Sequence, residues 1–404
     1  MNNMLSKVFF VLAASAAASG FGAMSTNERV AQLEQKMDCV YMDVPLSMCG
    51  CEVTASTCGP RLANARPEVK AGSGCTCPGW FIAIDAIYWH PKVGGTEYAY
   101  TDNTAQVLRA PIQNAGEGLP LSGRVKDVDF DWGWGFKVGL GYNFQHDGWD
   151  VSALYTRFSE EDSESTSPGR NSSVVPLRAS AGITSPAGQA PGPQGVFLFS
   201  EFAKTEFDID YDRIDLEMGR HFFVSEKLSL RPFIGLTAAW IDLQQKIRYV
   251  GGVANGEDLG LSVNTVHVKD ESDFKGLGPR FGFNTKWRLG YDFSLYGDFS
   301  MAFLYGHFDV EHKENYSLLP ANRVGLDADM NRFAPNSTIG LGIAYDTYLN
   351  EDKHHIGLKF GYENHYWWNV NQMLRIDDST FWRYERMSED VSFHGLTFEV
   401  RLDF

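Results

Sequence analysis

Residues 393–404 (FHGLTFEVRLDF) place Leu396, Phe398, Val400, Leu402 and Phe404 at every second position, with Thr397, Glu399, Arg401 and Asp403 between them. A β-strand turns successive side chains to opposite faces, so this stretch has one apolar face and one charged face. A face this apolar must be covered by a second sheet or by lipid. Recurrence of the pattern along the chain decides between them.

The alternation recurs in at least nine further segments. Trp80, Ile82, Ile84, Ala86 and Tyr88 share one face, as do Phe136, Val138, Leu140, Tyr142 and Phe144. Trp149, Val151, Ala153 and Tyr155 follow, then Ile214, Leu216, Met218 and Phe222, with Arg220 interrupting near the strand end. Further runs begin at Leu228, Leu277, Phe293, Ile339 and Ile356. Short turns near 145–148, 224–227, 289–292 and 349–353 alternate with long connections at 91–131, 159–205, 247–271, 309–335 and 370–390. A barrel in an outer membrane sorts its connections this way, with short turns and both chain ends on the periplasmic side. A soluble sandwich has no reason to do so. Strands of about ten residues suffice for such a wall. Aromatics gather at strand ends (Trp89, Trp132, Trp134, Trp149, Trp240, Trp287, Trp367, Trp368), as interface girdles require. The expected fold is therefore all-β: a transmembrane antiparallel up-and-down barrel of at least ten strands, ten to fourteen in all, over residues 78–404.

Bulk hydropathy is silent here. The mean of −0.25 suits a soluble protein and a barrel equally, because inward polar residues dilute the lipid-facing ones. No apolar run beyond the N-terminus approaches the roughly eighteen residues of a membrane helix. A net charge of −16 argues against nucleic acid as a partner.

Residues 1–23 read as a secretory signal: Lys7 is the positive region, Val8–Ala18 the apolar core, and small residues follow at Ala18–Ala23. Residues 24–77 read as a short helix and a Cys-rich periplasmic segment. The helix is marked by Val30, Leu33, Met37 and Val40, a short seam that could gather protomers or pack on its own chain. All six cysteines (Cys39, Cys49, Cys51, Cys58, Cys75, Cys77) fall here. In an exported chain disulfides are favoured over metal ligation, within or between chains. The acidic, then Pro/Gly/Ala-rich stretch 159–195 cannot build a core and is expected to be mobile or folded into a lumen.

No catalytic constellation emerges, so an enzyme is not expected, nor is a cofactor or metal. Gly276, Gly278 and Gly282 have the wrong spacing for a phosphate loop and sit inside an alternating strand. His354–His355 reads as a solvated turn. The acidic pieces Glu160–Asp162 and Asn255–Asp258 do not follow a calcium-loop spacing. The chemistry lies on the non-lipid faces instead. Strand phase puts Lys137, Arg213, Arg231, Arg280, Lys286, Lys359 and Arg401 inside, with Asp150, Asp215, Glu217, Asp298, Asp346, Glu363, Glu399 and Asp403. Such residues line a water-filled pore of mixed charge, or pair and plug a narrow one.

Residues 80–100 (WFIAIDAIYWHPKVGGTEYAY) resemble the opening strand of the major-outer-membrane-protein-like porins of Legionella and of environmental relatives of Chlamydia. The carried pattern is Asp85-Ala86-Ile87-Tyr88-Trp89, a turn, then Glu97-Tyr98-Ala99. Phe404 resembles the terminal signal read by the barrel-assembly machinery. The resemblance implies a general-diffusion channel for small hydrophilic solutes and ions, assembled as a homo-oligomer, a trimer. The cysteine cluster resembles the chlamydial way of cross-linking envelope proteins through disulfides. The partners implied are outer-membrane lipid, the assembly machinery and disulfide-linked envelope proteins, in the outer membrane of a Gram-negative bacterium. A non-conducting barrel acting as anchor or adhesin through its long loops is the competing expectation.

Overall fold

The computed structural model describes residues 72–73, 79–102, 123–144, 148–167, 173–179, 200, 202–225, 227–250, 265–317, 323–349, 354–378 and 383–404. All belong to the unit Cys58–Phe404, one of two compact units into which the chain divides. The expected signal, short helix and six cysteines lie outside the described residues.

Ten strands form the wall: β1 Gly79–Val93, β2 Gly133–Asn143, β3 Trp149–Thr166, β4 Phe202–Arg220, β5 Leu228–Val250, β6 Thr265–Gly290, β7 Phe293–Tyr316, β8 Met330–Leu349, β9 His354–Asn371 and β10 Glu389–Asp403. Each pairs antiparallel with the next in sequence, and β10 pairs with β1 from Val391↔Val93 to Asp403↔Phe81, so the sheet closes on itself. Closure leaves the wall without an open sheet edge, the condition for crossing a bilayer with strands. The strand count meets the lower bound read from the sequence.

Strand length departs from expectation. β5, β6 and β7 run for 23, 26 and 24 residues, far beyond the ten or so that cross a tilted bilayer. Much of what read as long connections is strand, including Ser159–Thr166 and Thr265–Glu271. The physical reason is a change of sides. Along β5, Ile234, Leu236 and Trp240 point outward and are exposed, whereas Ile241, Leu243, Ile247 and Tyr249 point inward and are buried. Outward positions beyond Trp240 become Asp242, Lys246 and Arg248. β4 does the same, from outward Met218, Leu216 and Ile214 to inward Tyr211, Ile209 and Phe207. Within the membrane lipid takes the apolar face; above it, water takes the outside and the apolar groups turn in.

The apolar band is rimmed by Trp80, Trp149 and Trp287 at the end bearing the short turns, and by Trp132, Trp134 and Trp240 at the other. Arg220 stacks on Trp149 and Phe222 (5.6 and 5.0 Å to the ring centroids), which fits its place at an interface. Trp89 and Trp367 are not girdle residues. Both are fully buried and point into the barrel.

At the outer end, Ala99–Asp102, Gly123–Lys126 and Ser173–Pro176 make a three-stranded sheet. Tyr98, Ala99 and Val174 pack beneath it on Ala203, Tyr249, Val266 and Val268 of the wall. Part of the stretch 159–195 is thus ordered as strand and cap. Gly278 and Gly282 lie in β6, where a Cβ would collide with the carbonyls of Phe303 and Phe299, so these glycines serve close strand packing.

Candidate functional site: the barrel interior

The fifteen charged residues assigned to the inner face by strand phase face inward, and each has a polar partner there. Nearest the short turns, Lys286 pairs with Asp346, His355 bridges Asp346 and Asp403 (3.1 and 2.7 Å), and Arg401 reaches Asp403 (2.7 Å). His355 therefore belongs to the lumen, not to a solvated turn. One layer higher, Lys359 pairs with Glu399 (3.0 Å), Lys137 with Glu363 (2.6 Å), and Asn284 donates to Asp298 (2.7 Å). Opposite these, Arg231 joins Asp150 to Glu217 (2.9 Å), Arg280 joins Glu217 to Asp215 (3.0 and 3.3 Å), and Arg213 clasps Asp215 (2.8 Å) and donates to Asn336 (2.9 Å).

Exposure grades along the axis. In the two layers on the side of the turns, the side chains of Lys286, Lys359 and Arg401 keep 31, 32 and 28% of their surface accessible, which marks a vestibule. Around Arg213 and Asp215 the figures fall to 1 and 4%. Ion pairs that dry are held by geometry, since desolvation cancels much of their Coulomb gain.

Above the charged layers lies a feature that the sequence reading missed. Trp89, Phe158, Tyr211, Phe274, Trp367 and Phe393 come from six strands (β1, β3, β4, β6, β9, β10) and are wholly buried against one another. Ring centroids are 5.6 Å apart for Trp89–Phe158, 4.6 Å for Tyr211–Phe393 and 6.3 Å for Phe274–Trp367. Tyr211 and Trp367 meet at 6.1 Å although their strands lie five places apart round the wall in either direction. The layer spans the full diameter. Asp85 was missed as well: it faces inward, 6% exposed, between Lys137 of β2 and Glu399 of β10 in the cross-strand register. Its position between the outward Ile84 and Ala86 was the signal.

At the outer end, beyond the membrane, His312 lies between Asp270 and Glu314 (2.9 Å), all three buried. Burial alone would lower the imidazole pKa, but the two carboxylate hydrogen bonds outweigh it and push the value up to about 9. Arg178, also buried, donates to the Gly95 and Glu97 carbonyls (3.1 Å for Glu97) and sits 3.7 Å from Asp270. Among the described residues no group of three or more His, Cys, Asp and Glu side chains is arranged to hold a metal ion.

A closed antiparallel wall with an apolar outer band and a charged inner face defines an outer-membrane β-barrel protein. The sequence model of one family, described as Legionella pneumophila major outer membrane protein precursor, matches residues 73–404, and the chain belongs to that family. No curated protein matches it. Among solved structures it is similar to the outer membrane protease OmpT of Escherichia coli, at 10% identity over 84% of this chain and 99% of that one, with a TM-score of 0.38. A FadL homologue of Pseudomonas aeruginosa matches at 11% identity, covering 81% of this chain and 90% of that one, with a TM-score of 0.31. The attachment invasion locus protein Ail of Yersinia pestis matches at 10% identity, covering 80 and 99%, with a TM-score of 0.23.

Proposed function

We propose that this chain is an outer-membrane barrel with a closed lumen, serving as an envelope anchor whose outer extension meets the cell's surroundings. The observation that carries this reading is the Tyr211–Trp367 contact across the full barrel diameter. Rings packed this way leave no aqueous path at their level, and a dry aromatic layer is a barrier to hydrated ions. The charged residues beneath it, Lys137, Arg213 and Glu363 among them, act as a wall-to-wall brace in place of a selectivity lining. The cysteine segment adds a route to neighbouring chains and envelope proteins, to be read as reducible oligomers on non-reducing gels.

A second reading, a porin for small hydrophilic solutes and ions, is favoured by the vestibule around Lys286, Lys359 and Arg401. It requires the aromatic layer to move. Reconstitution of folded, heat-modifiable protein in planar bilayers separates the two. Well-inserted protein without stepwise currents supports the closed barrel; stepwise currents overturn it in favour of the porin.

A further inference from the structure

On the side of the short turns the apolar band ends in a hollow of about 500 Å³ lined by Ser225, Lys227, Leu228 and Trp287. Trp287 is exposed and follows the inward Lys286, and Leu228 is its cross-strand partner, so the hollow opens on the outside of the wall. Short turns are the periplasmic connections of such barrels. The leaflet on that side of an outer membrane is phospholipid, and lipid A fills the other.

The turn between β4 and β5 is tightly knit. The N–H groups of Val224 and Ser225 donate to the Leu228 carbonyl (2.9 and 3.2 Å), and the Arg288 N–H donates to the Lys227 carbonyl (2.7 Å). Ser225 Oγ accepts the N–H groups of Lys227 and Leu228 (3.4 and 3.1 Å). Both its lone pairs are then used, and its hydroxyl hydrogen is left to donate. The ammonium of Lys227 and the indole N–H of Trp287 are donors only. Every polar side chain of the hollow therefore offers a donor and none offers an acceptor. Lys227 is exposed and forms no ion pair within 4 Å among the described residues. No carboxylate lines the hollow; Glu226, the acidic residue of the turn, lies outside the described residues. Arg288 brings a second cation to this rim, its guanidinium 5.2 Å from the centre of the Phe223 ring.

A donor set with a positive charge suits a phosphate, whose oxygens only accept. Leu228 and the Trp287 ring add an apolar floor beside it, which a free anion does not need and a lipid does. An ammonium on the headgroup would find no acceptor here and would face Lys227.

We propose that the hollow binds an anionic phospholipid of the periplasmic leaflet. Its phosphate meets Lys227, Ser225 and the Trp287 N–H, and its glycerol and first acyl carbons lie on Leu228 and the Trp287 ring. The hollow faces away from the lumen, so the assignment is independent of whether the barrel conducts.

The test is lipid retention by the detergent-folded full chain, read by native mass spectrometry with phosphatidylglycerol, phosphatidylethanolamine or lipid A. The expected result is one phosphatidylglycerol retained per barrel in preference to phosphatidylethanolamine. Lys227→Gln should weaken its retention about fivefold, the scale of one basic side chain at an anionic lipid surface. Trp287→Phe, which keeps the ring and removes the N–H, should weaken it less. Lys204→Gln, near the opposite end of the wall, should behave as wild type. A heat-modifiability shift equal to that of the wild type verifies that each variant is folded. Equal retention of the two phospholipids, or retention of phosphatidylglycerol indifferent to Lys227→Gln, would overturn the assignment. So would displacement of the lipid by millimolar inorganic phosphate, which would mark a free-anion site, or retention of lipid A that falls with Lys227→Gln, which would put the hollow in the other leaflet.

Discussion

Lys137 on β2 and Glu363 on β9 meet at 2.6 Å across three strand intervals of the wall, with their side chains 6 and 12% exposed. The Lys137 ammonium also lies 5.2 Å from the centre of the Trp89 ring, so one residue ties the charged brace to the aromatic layer above it. Lys137→Met leaves Glu363 buried without its cation, a change that costs about 3–5 kcal/mol. Urea unfolding in lipid vesicles, followed by tryptophan emission, should show that loss. The double variant Lys137→Met/Glu363→Gln should recover most of it. An equal loss in single and double variants would locate the damage elsewhere than in the pair.

The aromatic layer predicts a gain of function on damage. Trp367 is fully buried and touches Tyr211 and Phe274. Trp367→Ala removes the centre of the layer, should lower stability by about 3–5 kcal/mol, and opens the vestibule toward the outer mouth. Planar bilayers should then record currents from the variant where the wild type is silent. A destabilised but silent variant would mean that the remaining rings close the gap, and the layer would not act as a single gate.

The lipid-facing half of this architecture was legible in the sequence because lipid imposes one rule along a whole strand: Leu396, Phe398 and Leu402 had to alternate with something else. The same parity placed Lys137, Arg213 and Glu363 inside. Parity also explains what was missed. At Trp240–Ile241 the apolar face passes from outside to inside in one step, so a reading that follows a single phase ends the apolar face at Trp240 and opens a loop at 247. Trp89 reads as a girdle residue in the sequence because strand-end tryptophans look alike, although its neighbour Tyr88 holds the outward phase. The Tyr211–Trp367 contact had no local signal, since it depends on how many strands close the circle.

The turn between β6 and β7 is strained. Tyr291 and Asp292 have φ of 51° and 65° and form a two-residue hairpin after Gly290, itself at 115°. Positive φ at both central positions suits the strand twist but is unfavourable for tyrosine, and Asn-Gly is the pair such a turn prefers. Tyr291 is 97% exposed, so no packing is lost on replacing it. Tyr291→Asn/Asp292→Gly should raise stability by about 1 kcal/mol, visible as a higher urea midpoint. A lower midpoint would show that Tyr291 has a contact outside the described residues.

His312 gives the outer end a pH dependence with a definite sign. Its folded pKa of about 9 lies above the ordinary 6.5, so the protonated imidazole between Asp270 and Glu314 stabilises the fold. That contribution is complete below about pH 6.5 and is lost as pH rises through 9. Its size is on the order of 3 kcal/mol from the shift. The buried Arg178 links Asp270 to the carbonyls of Gly95 and Glu97, so weakening of the His312 cluster should be felt first by the cap that holds Tyr98 and Val174. Limited proteolysis of the folded barrel across pH 6 to 9.5 should therefore show faster cleavage near the cap at the alkaline end while the membrane wall stays intact. His312→Gln should cleave rapidly at every pH. A wild type with cleavage independent of pH would mean that the imidazole is not charged in the fold.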